Sequence, residues 1–168
     1  MKAPITTMTM LAALLAAGGC QREDEGPLAI EGKLFAFNYR VSTATYVLTL
    51  ARKSTLPEHS FIETSYEDPR GGPPIMTKTK IFPSWTKVAL ESPPIHCVVK
   101  NRPYHVTMTV TDGKGDVIQT IETTLTSDLD QSILPAKPLI VGAIYTANPE
   151  VYKPGQKPDF SPEACPST

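Results

Sequence analysis

The sequence predicts an all-β protein: an antiparallel β-sandwich, immunoglobulin-like or transthyretin-like, with a proline-rich C-terminal tail. From Leu28 onward, apolar residues recur with a period of two, which places one face of a strand in a core. Turn-forming segments separate about seven such stretches, as in β-sandwiches. No stretch has the 3.6-residue period of an amphipathic helix. The 17 prolines also disfavour helices, because each interior proline costs about 3 kcal/mol.

Two amphipathic strands are predicted first, over residues 33–41 and 43–52. Side chains at alternate positions point to the same side of a strand, so each segment has one face suited to a core. These faces consist of Phe35, Phe37, Tyr39 and Val41 in the first segment, and Ala44, Tyr46, Leu48 and Leu50 in the second.

A β-hairpin over residues 104–126 is the clearest prediction. Residues 112–115, "DGKG", tolerate positive φ and join two alternating stretches. Threonines occupy much of one face, which we expect to be a solvated sheet surface. The other face is apolar and consists of Tyr104, Val106, Met108 and Val110 before the turn and Val117, Ile121 and Leu125 after it.

Four further strands are predicted over residues 60–66, 86–91, 95–99 and 139–145, separated by loops at residues 67–74, 92–94 and 127–132. The last, "LIVGAIY", is almost continuously apolar, which predicts a strand buried on both faces. The sandwich domain is therefore expected over residues 28–145. The tail, residues 146–168, has five prolines in 23 residues and too few apolar side chains to fold alone.

The amino end has the features of a secretory signal over residues 1–19. Lys2 precedes an apolar run at residues 8–17, and the small residues Gly18 and Gly19 follow it. The run has roughly half of the 20 or so apolar residues that span a bilayer. Ala17 and Gly19 satisfy the small-x-small rule of ordinary signal cleavage, which leaves a soluble secreted protein as one alternative.

The stretch "AGGC" at residues 17–20 resembles the lipobox of bacterial lipoproteins and departs from it at Ala17, where leucine is more usual. The resemblance implies that Cys20 begins the mature chain and carries a diacylglyceryl group and an N-acyl chain, which anchor it in a membrane. Gln21, rather than aspartate, follows Cys20, which implies the periplasmic face of the outer membrane. Residues 20–27 then form the lipidated cysteine and a tether on the order of 20 Å long.

The chain has three cysteines: Cys20, Cys97 and Cys165. An odd number in an exported protein leaves one thiol unpaired, whereas acylation of Cys20 leaves Cys97 and Cys165 available to bridge. The bridge would close a loop of about 69 residues and stabilise the fold by about 4 kcal/mol on the chain-entropy model. We therefore expect a Cys97–Cys165 disulfide that holds the tail.

Composition and motifs indicate a non-catalytic protein. The formal charge is −1, and without residues 1–19, which contain Lys2, 15 basic residues face 17 acidic ones, giving −2; this disfavours nucleic acid as a partner. We identify no catalytic residues, no cofactor motif and no metal site. His96 and Cys97 are neighbours on a predicted strand, where they point to opposite faces. The acidic residues of two turns, Asp112, Asp116, Asp128 and Asp130, do not have calcium-loop spacing.

Phe82 and Trp85, in "IFPSWTK", are the candidate interaction patch. Aromatic side chains between prolines and turns often anchor interfaces. The interpretation that we prefer for Trp85 is that it caps one end of the sandwich core.

Two segments, "IEGKLFAFNYR" (residues 30–40) and "RPYHVTMTVTDGKGDVIQT" (residues 102–120), resemble small β-sandwich lipoproteins related to type III secretion pilotins. Those proteins share a glycine-containing strand near the start and a Tyr-x-Val hairpin near the end. The proline-rich tail and the cysteine pair depart from the family pattern. The resemblance implies a lipid-anchored protein-interaction or envelope-assembly module with an envelope protein as partner. The alternative is a lipoprotein that binds a sugar, a peptide or a metal.

Overall fold

The structure is a computed structural model and describes residues 26–166. Predictions for residues 1–25, including the signal cleavage site and the lipidation of Cys20, lie outside the described residues. Along residues 26–166, no helix has the length and apolarity needed to cross a bilayer.

The chain forms an antiparallel β-sandwich, as predicted. One sheet has three strands in the order β1-β2-β5, and the other has four in the order β4-β3-β6-β7. All neighbouring strands run antiparallel. The strands are β1 Leu28–Asn38, β2 Thr43–Arg52, β3 Phe61–Tyr66, β4 Ile75–Lys80, β5 Lys87–Glu91, β6 Pro103–Thr111 and β7 Val117–Thr126.

Outside the two sheets, the described residues include a short 3₁₀ helix, Gln131–Ile133, and two further two-residue strands, β8 Ile140–Val141 and β9 Thr146–Ala147. Strands β8 and β9 pair with each other in a small separate sheet. The described part of the chain contains no α-helix, in agreement with the absence of a 3.6-residue period.

The core lies between the two sheets and follows the predicted alternation most closely in β2 and β6. Every second residue of these strands is buried, and the four inward residues predicted for β2 are fully enclosed. Fully burying a leucine-sized side chain stabilises a fold by about 1.5–3 kcal/mol, so these alternating rows hold the sheets together. The inward residues of the two strands are Ala44, Tyr46, Leu48 and Leu50, and Tyr104, Val106, Met108 and Val110.

Strands β1 and β7, which are the edges of the two sheets on one side, are joined through a side chain. The Leu28 N–H donates to Gln119 Oε1 (3.1 Å), and Gln119 Nε2 donates to the Leu28 carbonyl (2.8 Å). A Cβ at Gly26 would lie 2.1 Å from the end of the Gln119 side chain, so a larger residue there would displace this amide. Lys33 Nζ donates to Thr123 Oγ1 (2.7 Å) further along. The side-chain amide thus replaces a strand pairing between the sheets.

Several strand predictions differ from the structure in detail. Strand β1 begins at Leu28, five residues before the predicted segment. Strand β4 was not predicted, because only Ile75 and Met76 are apolar and two prolines precede it. Val117 is exposed instead of facing the core, because the register between β6 and β7 shifts beside the turn.

The predicted strand at residues 95–99 is wrong. Ile95 makes a single bridge to Ala44, and the chain then leaves the sheet. Cys97 has φ +65°, in the left-handed region. A non-glycine residue in that conformation breaks an extended strand.

Candidate interaction surfaces

The loops of the sandwich lie at two opposite ends, which we call the tether end and the tail end. The tether end contains residues 26–28, where the described chain enters β1, and the loops 53–60, 81–86 and 112–116. The tail end contains the loops on the opposite side and the whole of residues 127–166. Hydrogen bonds between the sheets establish which loops share an end: Leu28 bonds with Gln119 at one end, and Tyr46 with Glu67 toward the other.

A disulfide between Cys97 and Cys165 fastens the tail to the sandwich at the tail end. The two Cα atoms lie 5.4 Å apart, and the sequence separation is 68 residues. Cys97 is buried and Cys165 is exposed. The positive φ that removes Cys97 from the sheet belongs to the residue that makes this bridge, so the local break in the strand and the covalent link occur together.

Glu163 forms a second link between the tail and the sandwich, beside the disulfide. Its two carboxylate oxygens reach different partners: Arg70 Nη2 donates to Oε1 (2.5 Å), and His96 Nδ1 lies 2.8 Å from Oε2. His96 and Cys97, adjacent in the sequence, therefore contact two tail residues that are two positions apart. Because all of these groups are partly exposed, the ion pairs contribute less than the covalent link.

Backbone contacts complete the attachment of the tail. Pro135 and Pro162 form an isolated bridge, and the Ala136 N–H donates to the Ser161 carbonyl (2.7 Å). The Ser42 hydroxyl donates to the Pro135 carbonyl. A segment with too few apolar residues to fold alone is thus held by a disulfide, ion pairs and main-chain hydrogen bonds.

The predicted buried strand at residues 139–145 is wrong: this segment is part of an exposed hairpin. Strands β8 and β9 flank a turn in which Gly142 and Tyr145 have φ of +72° and +55°. The side chain of Ile144 is 86 % exposed and that of Tyr145 is 69 % exposed. We call residues 140–147 the tail hairpin. Because the chain reverses after two residues of strand, the apolar run cannot cross a sheet.

Asn148 closes the base of the tail hairpin. Its Nδ2 donates to the Pro138 carbonyl (2.7 Å), and its N–H donates to the Leu139 carbonyl (2.9 Å). Asn148 Oδ1 accepts from the Glu150 N–H (3.0 Å). The Leu139 N–H in turn donates to the Arg40 carbonyl (2.8 Å) in the turn between β1 and β2. Hydrogen bonds at the base of the tail hairpin therefore support its exposed apolar turn.

The tail hairpin was missed by sequence reasoning, although two signals were present. Gly142 interrupts the apolar run, and Asn148-Pro149 follows it; both are turn signals. The apolar composition suggested burial instead. Near the hairpin, Tyr152 and Phe160 form a further aromatic pair whose ring centroids are 6.4 Å apart.

The candidate patch predicted from Phe82 and Trp85 lies at the tether end. The ring centroids are 4.9 Å apart, and the side chains are 44 % and 38 % exposed. Ile81, the residue before them, is buried instead. The preferred interpretation of Trp85 as a cap on the core is therefore wrong, because Trp85 is not among the residues of the core cluster. The role of the pair as an interaction patch stays a prediction.

The loop that carries these two aromatic residues is closed by its own hydrogen bonds. The Trp85 N–H donates to the Phe82 carbonyl (3.0 Å). The Arg52 guanidinium donates to the Pro83 carbonyl (2.6 Å) and, at 3.4 Å, to the Phe82 carbonyl. Lys80 Nζ lies 5.4 Å from the centroid of the Phe82 ring. The carbonyls of Phe82 and Pro83 and the N–H of Trp85 are thus paired in the loop that presents the aromatic pair.

Two of the four acidic residues considered for calcium, Asp112 and Asp130, have hydrogen-bond partners for their carboxylates. Asp112 accepts the N–H groups of Lys114 and Asp116 across the hairpin turn, and these hydrogen bonds hold the pKa of its carboxyl below the usual value. Asp130 accepts from the Ser132 N–H at the start of the 3₁₀ helix. Within residues 26–166, no three His, Cys, Asp or Glu side chains lie close enough together to hold a metal ion.

The outer face of the four-stranded sheet is polar and contains a shallow groove of about 590 Å³ near its β7 edge. His105 is exposed there, with Thr107, Glu122 and Thr124 beside it and Lys33 of β1 on the rim. This face matches the predicted solvated threonine surface.

The chain matches no protein-family model and no curated protein. The resemblances to bacterial lipoproteins and to pilotin-related lipoproteins therefore stay predictions.

Proposed function

We propose that this protein is a lipid-anchored lipoprotein of the periplasmic face of the outer membrane and acts, without catalysis, as an interaction module. In this proposal the tail hairpin binds an envelope protein. The observation that carries it is the exposure of Ile144 and Tyr145 on a hairpin with a hydrogen-bonded base. Neighbouring exposed apolar side chains of this size are typical of protein interfaces.

The way in which the tail is held supports a binding role. A disulfide, the Glu163 ion pairs and the Asn148 hydrogen bonds all act on a segment that contributes little to the core. Ordering a residue costs about 1–2 kcal/mol of backbone entropy. A hairpin that is already ordered loses less entropy when a partner binds, which favours affinity.

The orientation also fits the proposed anchor. The described chain begins at the tether end, and the 10 residues of β2 separate the two ends by about 34 Å at 3.4 Å per residue. With Cys20 in the membrane, the tail hairpin would face away from the bilayer and toward the periplasm. A disulfide is compatible with that oxidising compartment.

Membrane fractionation of wild type and Cys20→Ser tests the anchor. We expect the wild type in the outer-membrane fraction and extractable only with detergent, because two or three acyl chains give stable anchoring. The Cys20→Ser chain should be found in the soluble periplasmic fraction. Equal partitioning of both chains would contradict the lipid anchor.

Photo-crosslinking in intact cells tests the tail hairpin. A photoreactive amino acid at position 144 should give one discrete adduct with a protein, and Tyr145→Ser should weaken that adduct. Position 120 is the matched control, since Thr120 is also exposed to solvent, on the outer face of β7. No adduct at position 144, or the same adducts at both positions, would contradict the proposed interface.

The alternative function is a ligand-binding lipoprotein, and the groove beside His105 is the observation that favours it. Its polar lining of threonines with Lys33 and Glu122 is suited to a hydrated ligand such as a sugar. Thermal unfolding with and without oligosaccharides tests this function. A ligand-induced rise in Tm that His105→Ala and Glu122→Ala remove would favour it over the interaction module.

A further inference from the structure

We propose that the tether end is a membrane-contact surface, in which Phe82 and Trp85 enter the headgroup region of an anionic bilayer. This inference rests on the proposed function for its orientation, since the lipid anchor would hold that end near the membrane. It assigns a lipid surface, instead of a protein, as the partner of the aromatic pair.

The aromatic pair and the start of the described chain lie at the same end of the sandwich. Leu28 is opposite Arg52 in the register of β1 and β2, and Arg52 donates to the Pro83 carbonyl between the two aromatic residues. The Arg52 N–H also donates to the Thr86 carbonyl (2.9 Å). Strands β1, β2 and β5 are neighbours, so the pair is two strands, about 10 Å, from the point where the tether joins.

The length of chain before the structure limits how far this end can move from the membrane. Residues 20–25, the segment between the proposed lipidated cysteine and Gly26, span on the order of 20 Å when extended. A tether this short gives an attached surface an effective concentration in the millimolar range. A patch with weak intrinsic affinity for lipid would therefore be in contact with it for much of the time.

The chemistry of the loop suits the interface between lipid and water. Tryptophan and other aromatic rings concentrate at the headgroup level of membranes. Unpaired backbone groups make entry into an apolar medium costly. Here the carbonyls of Phe82 and Pro83 accept hydrogen bonds from Arg52, and the Trp85 N–H is also paired. The loop can thus bring its rings to the lipid at a reduced desolvation cost.

Positive charges lie beside the pair. Lys80 lies beside the Phe82 ring, Arg52 is bonded to the loop, and Lys87 follows Trp85 by two residues and pairs with Glu31. A basic residue near an anionic membrane surface contributes about 1 kcal/mol. Among residues 26–166, the other acidic side chains of this end, Glu58, Asp112 and Asp116, lie in the loops 53–60 and 112–116 and not in the aromatic loop.

Trp85 is the only tryptophan in the chain, so its fluorescence reports on this surface directly. The test uses the chain from Cys20 onward, which retains every residue described above. Its Cys20 thiol is coupled to a maleimide-headgroup lipid in phosphatidylglycerol vesicles with or without brominated acyl chains, while Cys97 and Cys165 stay bonded to each other. We expect the emission to shift to shorter wavelength and to lose roughly half its intensity in brominated vesicles, since a ring at the headgroup level lies near the bromines.

Matched variants make the test specific. Phe82→Ser and Lys80→Glu should each reduce the quenching by bromine, whereas Tyr145→Ser, at the tail end, should leave it unchanged. Emission that is the same in brominated and unbrominated vesicles would overturn the proposal, as would a crosslink from position 85 to a protein in intact cells. The tether is attached chemically, so the outcome does not depend on acylation in the cell. Failure of the fractionation test and failure of this test are therefore distinguishable.

Discussion

At the scale of single residues, buried tyrosines join the core to the loops of the tail end. Tyr46, Tyr66 and Tyr104 are fully buried, and Phe35 contacts the rings of Tyr46 and Tyr104. The Tyr46 hydroxyl donates to the Glu67 carbonyl (2.8 Å), and the Tyr104 hydroxyl accepts from the Val99 N–H (2.7 Å). Burial, followed by the charge of Glu67, raises the pKa of Tyr46 far above its usual value. Tyr46 thus remains a hydrogen-bond donor at physiological pH.

Tyr46→Phe tests how much the hydrogen bond from the Tyr46 hydroxyl to the Glu67 carbonyl contributes to stability. The substitution keeps the ring and leaves the Glu67 carbonyl without its donor, so we expect the free energy of unfolding to fall by about 1–2 kcal/mol. Urea unfolding followed by circular dichroism measures the change. Tyr39→Phe is the control, because Tyr39 is exposed in the turn after β1. Equal stability of Tyr46→Phe and wild type would contradict the role of the hydroxyl.

The hydrogen bond that the Asp130 carboxylate accepts makes a contribution to stability that depends on pH. The hydrogen bond from the Ser132 N–H (3.0 Å) holds the pKa of the Asp130 carboxyl below its ordinary value of 3.8. Because the folded-state pKa is lower than the unfolded one, the stabilisation is present above pH 3.8 and is lost as the pH falls through the folded-state pKa.

We expect Asp130→Ala to lower the free energy of unfolding by about 1 kcal/mol near neutral pH, as the loss of a capping residue does. This difference from wild type should shrink as the pH falls below 3.8 and through the lower folded-state pKa, where the carboxylate of folded wild-type Asp130 becomes protonated. Unfolding in urea at several pH values measures it. Asp128→Ala, an exposed neighbour in the same loop, should show neither effect. A difference that is constant with pH would exclude the carboxylate as its source.

At the scale of elements, the tail behaves as an appended segment and not as part of either sheet. Its links to the sandwich are the Cys97–Cys165 disulfide, the Glu163 ion pairs with Arg70 and His96, and a few backbone hydrogen bonds. The core cluster is formed by residues of the sandwich. Removal of the links should therefore free the tail and leave the two sheets folded.

The double substitution Cys97→Ala and Cys165→Ala is expected to lower the free energy of unfolding by up to about 4 kcal/mol, because the unfolded chain regains the entropy of a closed loop. Chymotrypsin should then cut the folded protein after Tyr152 and Phe160 in the tail faster than it cuts the wild type. Glu163→Gln, which removes only the ion pairs, should cost less than about 1 kcal/mol. If chymotrypsin cuts the tail of the double variant no faster than that of the wild type, the tail is not held mainly by the disulfide.

At the scale of the whole molecule, the sandwich separates two apolar surfaces by the length of its strands. The aromatic pair lies at the tether end, and the tail hairpin lies at the tail end. The two proposals make use of this separation: one end contacts the membrane, and the other contacts an envelope protein. Each proposal can thus be perturbed without changing the other surface.

Lengthening the tether distinguishes the two ends. Insertion of about 20 Gly and Ser residues after Glu25 lowers the effective concentration of the tether end at the membrane by roughly 5- to 10-fold, since that concentration falls with about the −3/2 power of length. Bromine quenching of Trp85 should decline accordingly, while the adduct from position 144 should persist in cells. Unchanged quenching would show that the contact does not depend on the tether.

The sequence alone determined the fold class and much of the core. Strict alternation in β2 and β6 places one row of side chains of each strand against the other sheet, because a strand has only two faces. The same local information could not separate buried from exposed apolar runs. Residues 139–145 are apolar enough for a core, yet left-handed residues at Gly142 and Tyr145 turn them outward.

Only the tertiary structure decided how the ends are built. Cys97 and Cys165, Glu163 and Arg70, and Gln119 and Leu28 are far apart in the chain, and their contacts depend on where both sheets place them. No spacing along the sequence encodes such a contact. The proposed anchor at Cys20 depends on the sequence alone, since it concerns a short local stretch. What the anchored sandwich offers to the membrane and to a partner depends on which loops share an end, and that is a property of the packed sheets.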